Sequence, residues 1–167
     1  DFVEIFRGKG EATMRVREAG CTAAEGFDCK YITYERTWHL DIKEDQADLA
    51  WVLLHCLKPK CIHLGTPCTK MCLIGPRKID ARTAAQNEFT ITCLTHQAAV
   101  GWHGSAENPT GTLLYEWEPW VKRFGHPTNP ESPWGYFKGD GCQVGHVFLG
   151  CLLYTSDAAY ESVGVDL

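Results

Sequence analysis

"CIHLGTPC", Cys61–Cys68, decides how this chain is read. Ile62 and Leu64 alternate with Cys61 and His63, so the stretch predicts a short strand that stops at Gly65. Thr66-Pro67-Cys68 then forms a corner. Proline restricts φ, so the residue after it leaves the strand in a restricted direction. A thiol aimed this way can serve as a nucleophile if a cation or a helix start favours the thiolate. Lys70 is the nearest cation in sequence. Taken alone, such a cysteine is more often a small buried residue, so the neighbouring elements must decide.

Outward from that corner, short apolar runs alternate with helical patterns. "DFVEIF" (Asp1–Phe6) predicts a strand, stopped by "RGKG". "EATMRVREAG" predicts a helix with Ala12, Val16 and Ala19 at helical spacing and Gly20 as its stop. "CTAAEGFD" is a weaker strand candidate ending at Asp28, and "YITYERTWHLDI" is ambiguous between loop and strand. Lys43–Leu57 predicts an amphipathic helix with Ala47, Ala50, Leu54 and Leu57 on one side, broken at Pro59. After the Cys61–Gly65 strand, "TKMCLIGPRKID" predicts a loop and Ala81–Val100 a second long helix. Trp102–Ala106 predicts a strand followed by Glu107-Asn108-Pro109. "GTLLYEWEPWVKRF" predicts a helix broken near Pro119, "GHPTNPESPWGYFKGDG" a loop and "CQVGHVFLG" a last short strand. There is no internal repeat.

This alternation predicts an α/β fold: a Rossmann-like, open, mostly parallel sheet. In such sheets ligands bind beyond the carboxyl ends of the strands. The special residues fall at those ends: Phe6-Arg7-Gly8-Lys9-Gly10, then Asp28, then Pro67-Cys68, then Glu107-Asn108. Residues distant in sequence should therefore meet on one rim. Glycines let a backbone turn tightly against a ligand, a strand-end aspartate can accept hydrogen bonds from a ribose, and a buried glutamate can act as a general acid. The turn lacks the third glycine of the dinucleotide fingerprint, and no G-K-[ST] phosphate loop follows it.

The 167 residues suit one domain with a real core, and 44% hydrophobic against 22% charged residues predicts a folded chain. No apolar run approaches the roughly 20 residues of a membrane span, so no membrane partner is expected. The net charge of −5 argues against a strongly basic nucleic-acid surface. Lys70, Arg77, Lys78 and Arg82 are the local exception, either a solvated loop or phosphate contacts. Nine cysteines make an odd count that does not suit a disulfide framework. Reduced thiols and an intracellular location, nucleus or cytoplasm, are expected. Cys61, His63, Cys68 and Cys72 match no common zinc spacing, so no metal is assigned.

"CLLYTSDAAYESVGVDL", Cys151–Leu167, does not fit what precedes it. "CLLYTSDAA" resembles the translation of an adapter used in DNA sequencing libraries. Residues 151–167 are therefore expected to be an artefactual tail, and 1–150 a partial domain that is incomplete at its C-terminus. The tail carries Asp157, Glu161 and Asp166 and no basic residue. Without it the acidic count falls from 21 to 18 against 16 basic residues, a net of −2.

Taken together, "EIFRGKGEATMRVREAG", "HLGTPC" and "SAENP" resemble three motifs of the cytosine-5 DNA methyltransferase family, over roughly residues 1–150. The likeness is greatest to divergent members that carry GTPC and ENP. The resemblance implies an S-adenosylmethionine-dependent catalytic domain of the methyltransferase fold. It implies that Phe6, Gly8, Gly10 and Pro67 line the cofactor, that Asp28 holds its ribose and that Asp41 and Ile42 meet its adenine. It implies Cys68 as nucleophile, with Glu107, steadied by Asn108, on the edge of a cytosine flipped out of DNA. RNA is an alternative partner. Thr69 and Pro109 depart from the residues many members carry after the Pro-Cys and Glu-Asn pairs. The family's target-recognition region and later motifs have no counterpart in these residues. Two other readings stay open: a methyltransferase-like binding module without chemistry, and a metal or thiol protein.

Overall fold

The structure, a computed structural model, describes residues 1–109, 111–129, 132, 134–140 and 159–164. Three short strands form its centre: β1 (Phe2–Ile5), β2 (Cys61–Leu64) and β3 (His103–Pro109). β1 runs parallel to β2 and β2 parallel to β3. The register aligns Phe2 with Cys61 and His103, and Ile5 with Leu64 and Ala106. Ala23 and Phe27 bridge in parallel to Phe2 and Ile5, so the weak "CTAAEGFD" candidate runs along the free edge of β1 without forming a continuous ladder.

Alternation along these strands separates two faces. Val3, Ile5, Ile62, Leu64 and Ala106 are buried. On the face of Ile62, helix α3 (Ala81–Ala99) sits very close to β3: a Cβ on Gly104 would lie 2.8 Å from Leu94 Cδ2. Asp80 caps α3, accepting from Thr83 N at 2.9 Å and from Thr83 Oγ1 at 2.8 Å. The other face is polar, with Glu4, His63 and Ser105 aligned across the three strands.

Helix α1 (Glu11–Glu18) begins at Gly10, whose φ of 76° is left-handed and favours glycine. Gly10 has no side chain to cap the helix. Glu4, buried in β1, substitutes by accepting from Thr13 N at 2.8 Å and Thr13 Oγ1 at 2.7 Å. Gly20 stops the following turn with φ 80°, as expected.

The predicted 43–57 helix is two pieces: α2 (Lys43–Trp51) and a π-helical turn, Val52–Leu57. Its inward face also differs. Leu49 is wholly buried, and Val52, Leu53 and Leu57 pack against the core, whereas Ala47 is exposed and Leu54 is 41% exposed. Leu49, Val52 and Leu53 have helical spacing too. Their larger side chains remove more apolar surface from water than the alanines would.

After β3 comes a 3-10 turn, Leu113–Glu116, and then α4 (Glu118–Phe124). The expected break lies at Trp117, and Pro119 starts α4 in the first turn, where its missing N–H costs nothing. The aromatic end of the core gathers here. Trp120 and Phe124 are fully buried with ring centroids 4.7 Å apart, and Trp120 Nε1 donates to Tyr136 Oη at 3.1 Å.

β4 (Gly135–Asp140) lies within a stretch the sequence predicted as loop. Its Gly and Pro content hid a strand that needs a partner far along the chain. That partner is β5 (Ala159–Gly164), which pairs antiparallel with both β4 and β3. The sheet order is β1-β2-β3-β5-β4, mixed where the sequence predicted mostly parallel. β3 also continues through Glu107-Asn108-Pro109 because β5 pairs with those residues. The last expected strand, 142–150, lies outside the described residues, as do 151–158 and 165–167 of the tail. The fold is mixed α/β with a three-strand parallel centre, compatible with a Rossmann-like arrangement.

Candidate functional site

The strand order places the site. The 23–27 segment lies on one side of β1 and β2 on the other, so chain direction across the sheet reverses at β1. The crevice at the carboxyl ends of β1 and β2 is where such sheets hold ligands. Gly65 N donates to Ile5 O at 3.0 Å, and a Cβ on Gly65 would lie 3.1 Å from Phe6 O. Only a small residue lets the two strand ends come this close.

The glycine turn after β1 is held from the neighbouring segment. Arg7 N donates to Phe27 O at 3.3 Å, and Gly8 N donates to Asp28 Oδ2 at 3.1 Å. The other Asp28 oxygen accepts from Lys30 N at 2.8 Å. Phe6 has φ +56° and Gly8 +51°. A left-handed phenylalanine is strained, at about 1–2 kcal/mol, and persists because the hydrogen bonds around it hold the turn.

A cavity of about 320 Å³ opens beside this turn, lined by Phe6, Gly8, Asp28, Cys29, Gly65 and Pro67 among others. Four of the residues predicted to bind a cofactor therefore converge: Phe6, Gly8, Asp28 and Pro67. Gly10 is the helix cap behind them. Asp41 and Ile42 fall outside this lining. Asp41 pairs with Arg82, Nε to Oδ2 2.9 Å, and Ile42 is a 45% exposed helix cap. Leu40 and Trp38 occupy the wall that Asp41 and Ile42 were expected to form. A cavity near the lower end of the roughly 300–1,000 Å³ usual for ligands suits a nucleoside-sized group. Asp28 keeps acceptor capacity for ribose hydroxyls, because each carboxylate oxygen takes more than one hydrogen bond.

Cys68 and Glu107 meet at the next strand ends. Burial pushes the Cys68 thiol up to about 12, with further contributions from Cys72 and Glu107. Burial pushes Glu107 up to about 7. The Glu107 charge opposes ionisation of the Cys68 thiol, so the two groups lie near one another. Asn108, wholly buried, braces them: its Nδ2 donates to Thr66 O at 2.9 Å and to Glu107 O at 2.8 Å. Its Oδ1 accepts from Thr112 Oγ1 at 3.0 Å. The Pro67-Cys68 corner continues into a tight turn, with Met71 N and Cys72 N both donating to Cys68 O, at 2.7 and 2.9 Å.

Lys70 does not act as the cation beside Cys68. It is ion-paired with Asp80, whose carboxyl it holds well below the ordinary range together with Thr83. Two more of the basic cluster are engaged: Arg77 donates to Gly111 O at 3.0 Å and Arg82 holds Asp41. These cations serve the loop's own structure, which weakens the phosphate-contact expectation.

A second cavity, about 640 Å³, lies on the polar face between the sheet and α1. Glu4, Arg7, His63 and Glu107 are among its lining, and it shares Phe6, Gly8 and Gly65 with the first. Sequence reasoning missed Glu4, His63 and Ser105 as site neighbours. The signal was present: Glu4 and His63 are polar residues inside otherwise apolar strand patterns. His63 was weighed only as a zinc ligand with Cys61, yet its Nδ1 lies 2.9 Å from Ser105 Oγ. Among the described residues no three His, Cys, Asp or Glu side chains gather as a metal site, and the seven described cysteines are free.

A scan against protein-family models finds no match for the chain, and a search of curated proteins finds no significant one.

Proposed function

We propose that this chain is an S-adenosylmethionine-dependent methyltransferase domain of the cytosine-5 type, acting on carbon 5 of cytosine in DNA. The observation that carries this reading is convergence. A half-buried thiol on a proline corner, a glutamate that burial pushes up to about 7 and a glycine turn with a ribose-ready aspartate occupy one rim. The three come from sequence separations of dozens of residues, so chance local likeness does not explain their meeting.

Phe6, Gly8, Asp28, Gly65 and Pro67 would hold the cofactor. When bound, it supplies an electrophilic methyl group. The chain's own residues supply the rest. The Cys68 sulfur adds to carbon 6 of cytosine, which breaks the ring's aromaticity and raises electron density at carbon 5. Glu107, protonated, donates to ring nitrogen 3 and neutralises the charge that develops there. The two groups suit each other electrostatically: a thiolate is tolerated beside a neutral Glu107 and opposed beside an ionised one. Asn108 sets their separation. Once carbon 5 has taken the methyl group, a base from solvent accepts the carbon 5 proton and Cys68 leaves as its thiolate.

A second reading is a cofactor-binding module without chemistry. The partial burial of Cys68, with Lys70 committed to Asp80, favours it, because burial outweighs the backbone hydrogen bond that draws the thiol toward its ionised form. Two measurements separate the readings. Calorimetry of the 167-residue chain with S-adenosylhomocysteine should give saturable binding that Gly8→Val and Asp28→Ala each weaken by tenfold or more. DNA containing 5-fluorocytosine should then form a covalent adduct that needs Cys68 and S-adenosylmethionine. Binding without an adduct supports the module. A folded chain that shows neither overturns both.

A further inference from the structure

We propose that Gln86 on α3 reads the base of the bound cofactor, beside an apolar wall of Trp38 and Leu40, so that the cavity selects adenine by its amino group. The inference rests on the cofactor assignment of the reading above, and on neither Cys68 nor the DNA substrate.

The neighbours of Asp28 fix where a base must lie, because a base is bonded directly to its ribose. Trp38 N donates to Asp28 O at 3.1 Å, which sets the Trp38–Leu40 segment beside the ribose acceptor. Trp38 and Leu40 are buried, and both line the cavity of about 320 Å³. The indole is fixed: its Nε1 donates to Thr33 O at 3.0 Å, and Arg36 lies over its ring at 4.5 Å. Such a wall suits the apolar face of a purine. Helix α3 borders the same space. Gln46 on α2 donates from Nε2 to Leu40 O at 2.8 Å and to Ala85 O at 3.0 Å. One amide thus ties the wall to α3 at the residue before Gln86, and Gln86 lines the same cavity.

An adenine edge offers a donor, the amino group, beside an acceptor, a ring nitrogen. A carboxamide presents the matching acceptor and donor in one plane. Among the described residues Gln86 is the one carboxamide in this lining. Its backbone oxygen accepts from Thr90 Oγ1 at 3.1 Å, and its side chain makes no hydrogen bond among the described residues. Other polar groups of the lining are committed elsewhere. Lys70 pairs with Asp80, Arg82 with Asp41, and Thr83 donates its hydroxyl to Asp80 at 2.8 Å. Lys30 is exposed, and an ammonium group can only donate. Asp41 and Ile42, to which the resemblance points for the adenine, lie outside the lining.

The test is calorimetry of the whole chain with S-adenosylhomocysteine and with its analogue that carries hydrogen in place of the adenine amino group. The native chain should bind the analogue about tenfold more weakly, because the carboxamide oxygen is then left unpaired. Gln86→Ala and Gln86→Leu should each weaken S-adenosylhomocysteine about tenfold and bring the two ligands to within about twofold of each other. Alanine and leucine both favour a helix, so α3 should keep its fold in these variants, which circular dichroism checks. Asp41→Ala should leave the preference for adenine in place. Equal binding of the two ligands by the native chain, or a preference that survives both Gln86 substitutions, overturns the proposal and leaves the cofactor assignment standing. A preference lost in Asp41→Ala alone overturns it in favour of Asp41. Binding of neither ligand by the folded native chain overturns the proposal and the cofactor assignment together.

Discussion

Asn108 Nδ2 donates to the carbonyl of Thr66 at 2.9 Å. This hydrogen bond joins the end of β3 to the residue before the Pro67-Cys68 corner. It therefore sets where the thiol stands relative to Glu107, whose own carbonyl accepts from the same amide. Thr66 is tied further, its Oγ1 lying 2.9 Å from Thr90 Oγ1 on α3. The corner is braced from a strand and from a helix at once.

Asn108→Ala should be among the costlier single changes. It strips partners from Thr66 O and Thr112 Oγ1 at a wholly buried position and leaves a small void. The expected loss is about 2–4 kcal/mol of stability. Urea unfolding measures it, and a loss below about 1 kcal/mol would contradict the bracing role.

Glu4→Ala should fray α1 from its first turn. Thr13 N and Oγ1 both lose their acceptor in a buried setting, at about 1–3 kcal/mol. Glu4→Gln keeps one acceptor oxygen and should fall between. Amide exchange at the start of α1 should accelerate in the same order, with the rest of the chain little changed.

Glu107 makes stability fall with rising pH over a defined window. The unfolded chain releases this proton near the ordinary value of 4.5, while the folded chain holds it to about 7. Between those values the folded state binds more protons, so its contribution is complete below about 4.5 and lost as pH rises through 7. Melting temperatures of the native chain and Glu107→Gln, compared from pH 4.5 to 8, should converge at the acid end. The variant should be the more stable at the alkaline end. Parallel curves would show that Glu107 is not held protonated.

Cys68 should alkylate slowly in the free protein. Burial raises its thiol from 9.0 to about 12, which leaves about 10³-fold less thiolate at neutral pH than an ordinary cysteine has. Exposed Cys21 and Cys56 should react first. If Cys68 reacts as fast as they do, the site already favours the thiolate and no substrate-driven activation is required.

Much of the site was legible because its residues end local patterns. Phe6, Gly8, Asp28, Pro67 and Glu107 each follow an apolar run, and a run of four to six residues is read within its own window. Asp41 and Ile42 were legible only as an acidic-apolar pair. Their place was decided by Arg82, 41 residues away, which draws Asp41 aside. Lys70 was close to Cys68 in sequence but pairs with Asp80.

The sequence by itself determined the order of strands and helices around the parallel centre, the breaks at Gly20 and Pro59, and the convergence of the strand ends on one rim. Those features follow from periodicity and backbone restriction, which act over a few residues. Tertiary structure alone decided that Leu49 and not Ala47 faces inward, that β4 exists, and that Glu4, His63 and Ser105 form one row. It also decided that the thiol on the proline corner is pushed well above the ordinary range. Each of these depends on register, burial or an ion pair between residues far apart in the chain, and such energies arise only when the packed neighbours exclude water.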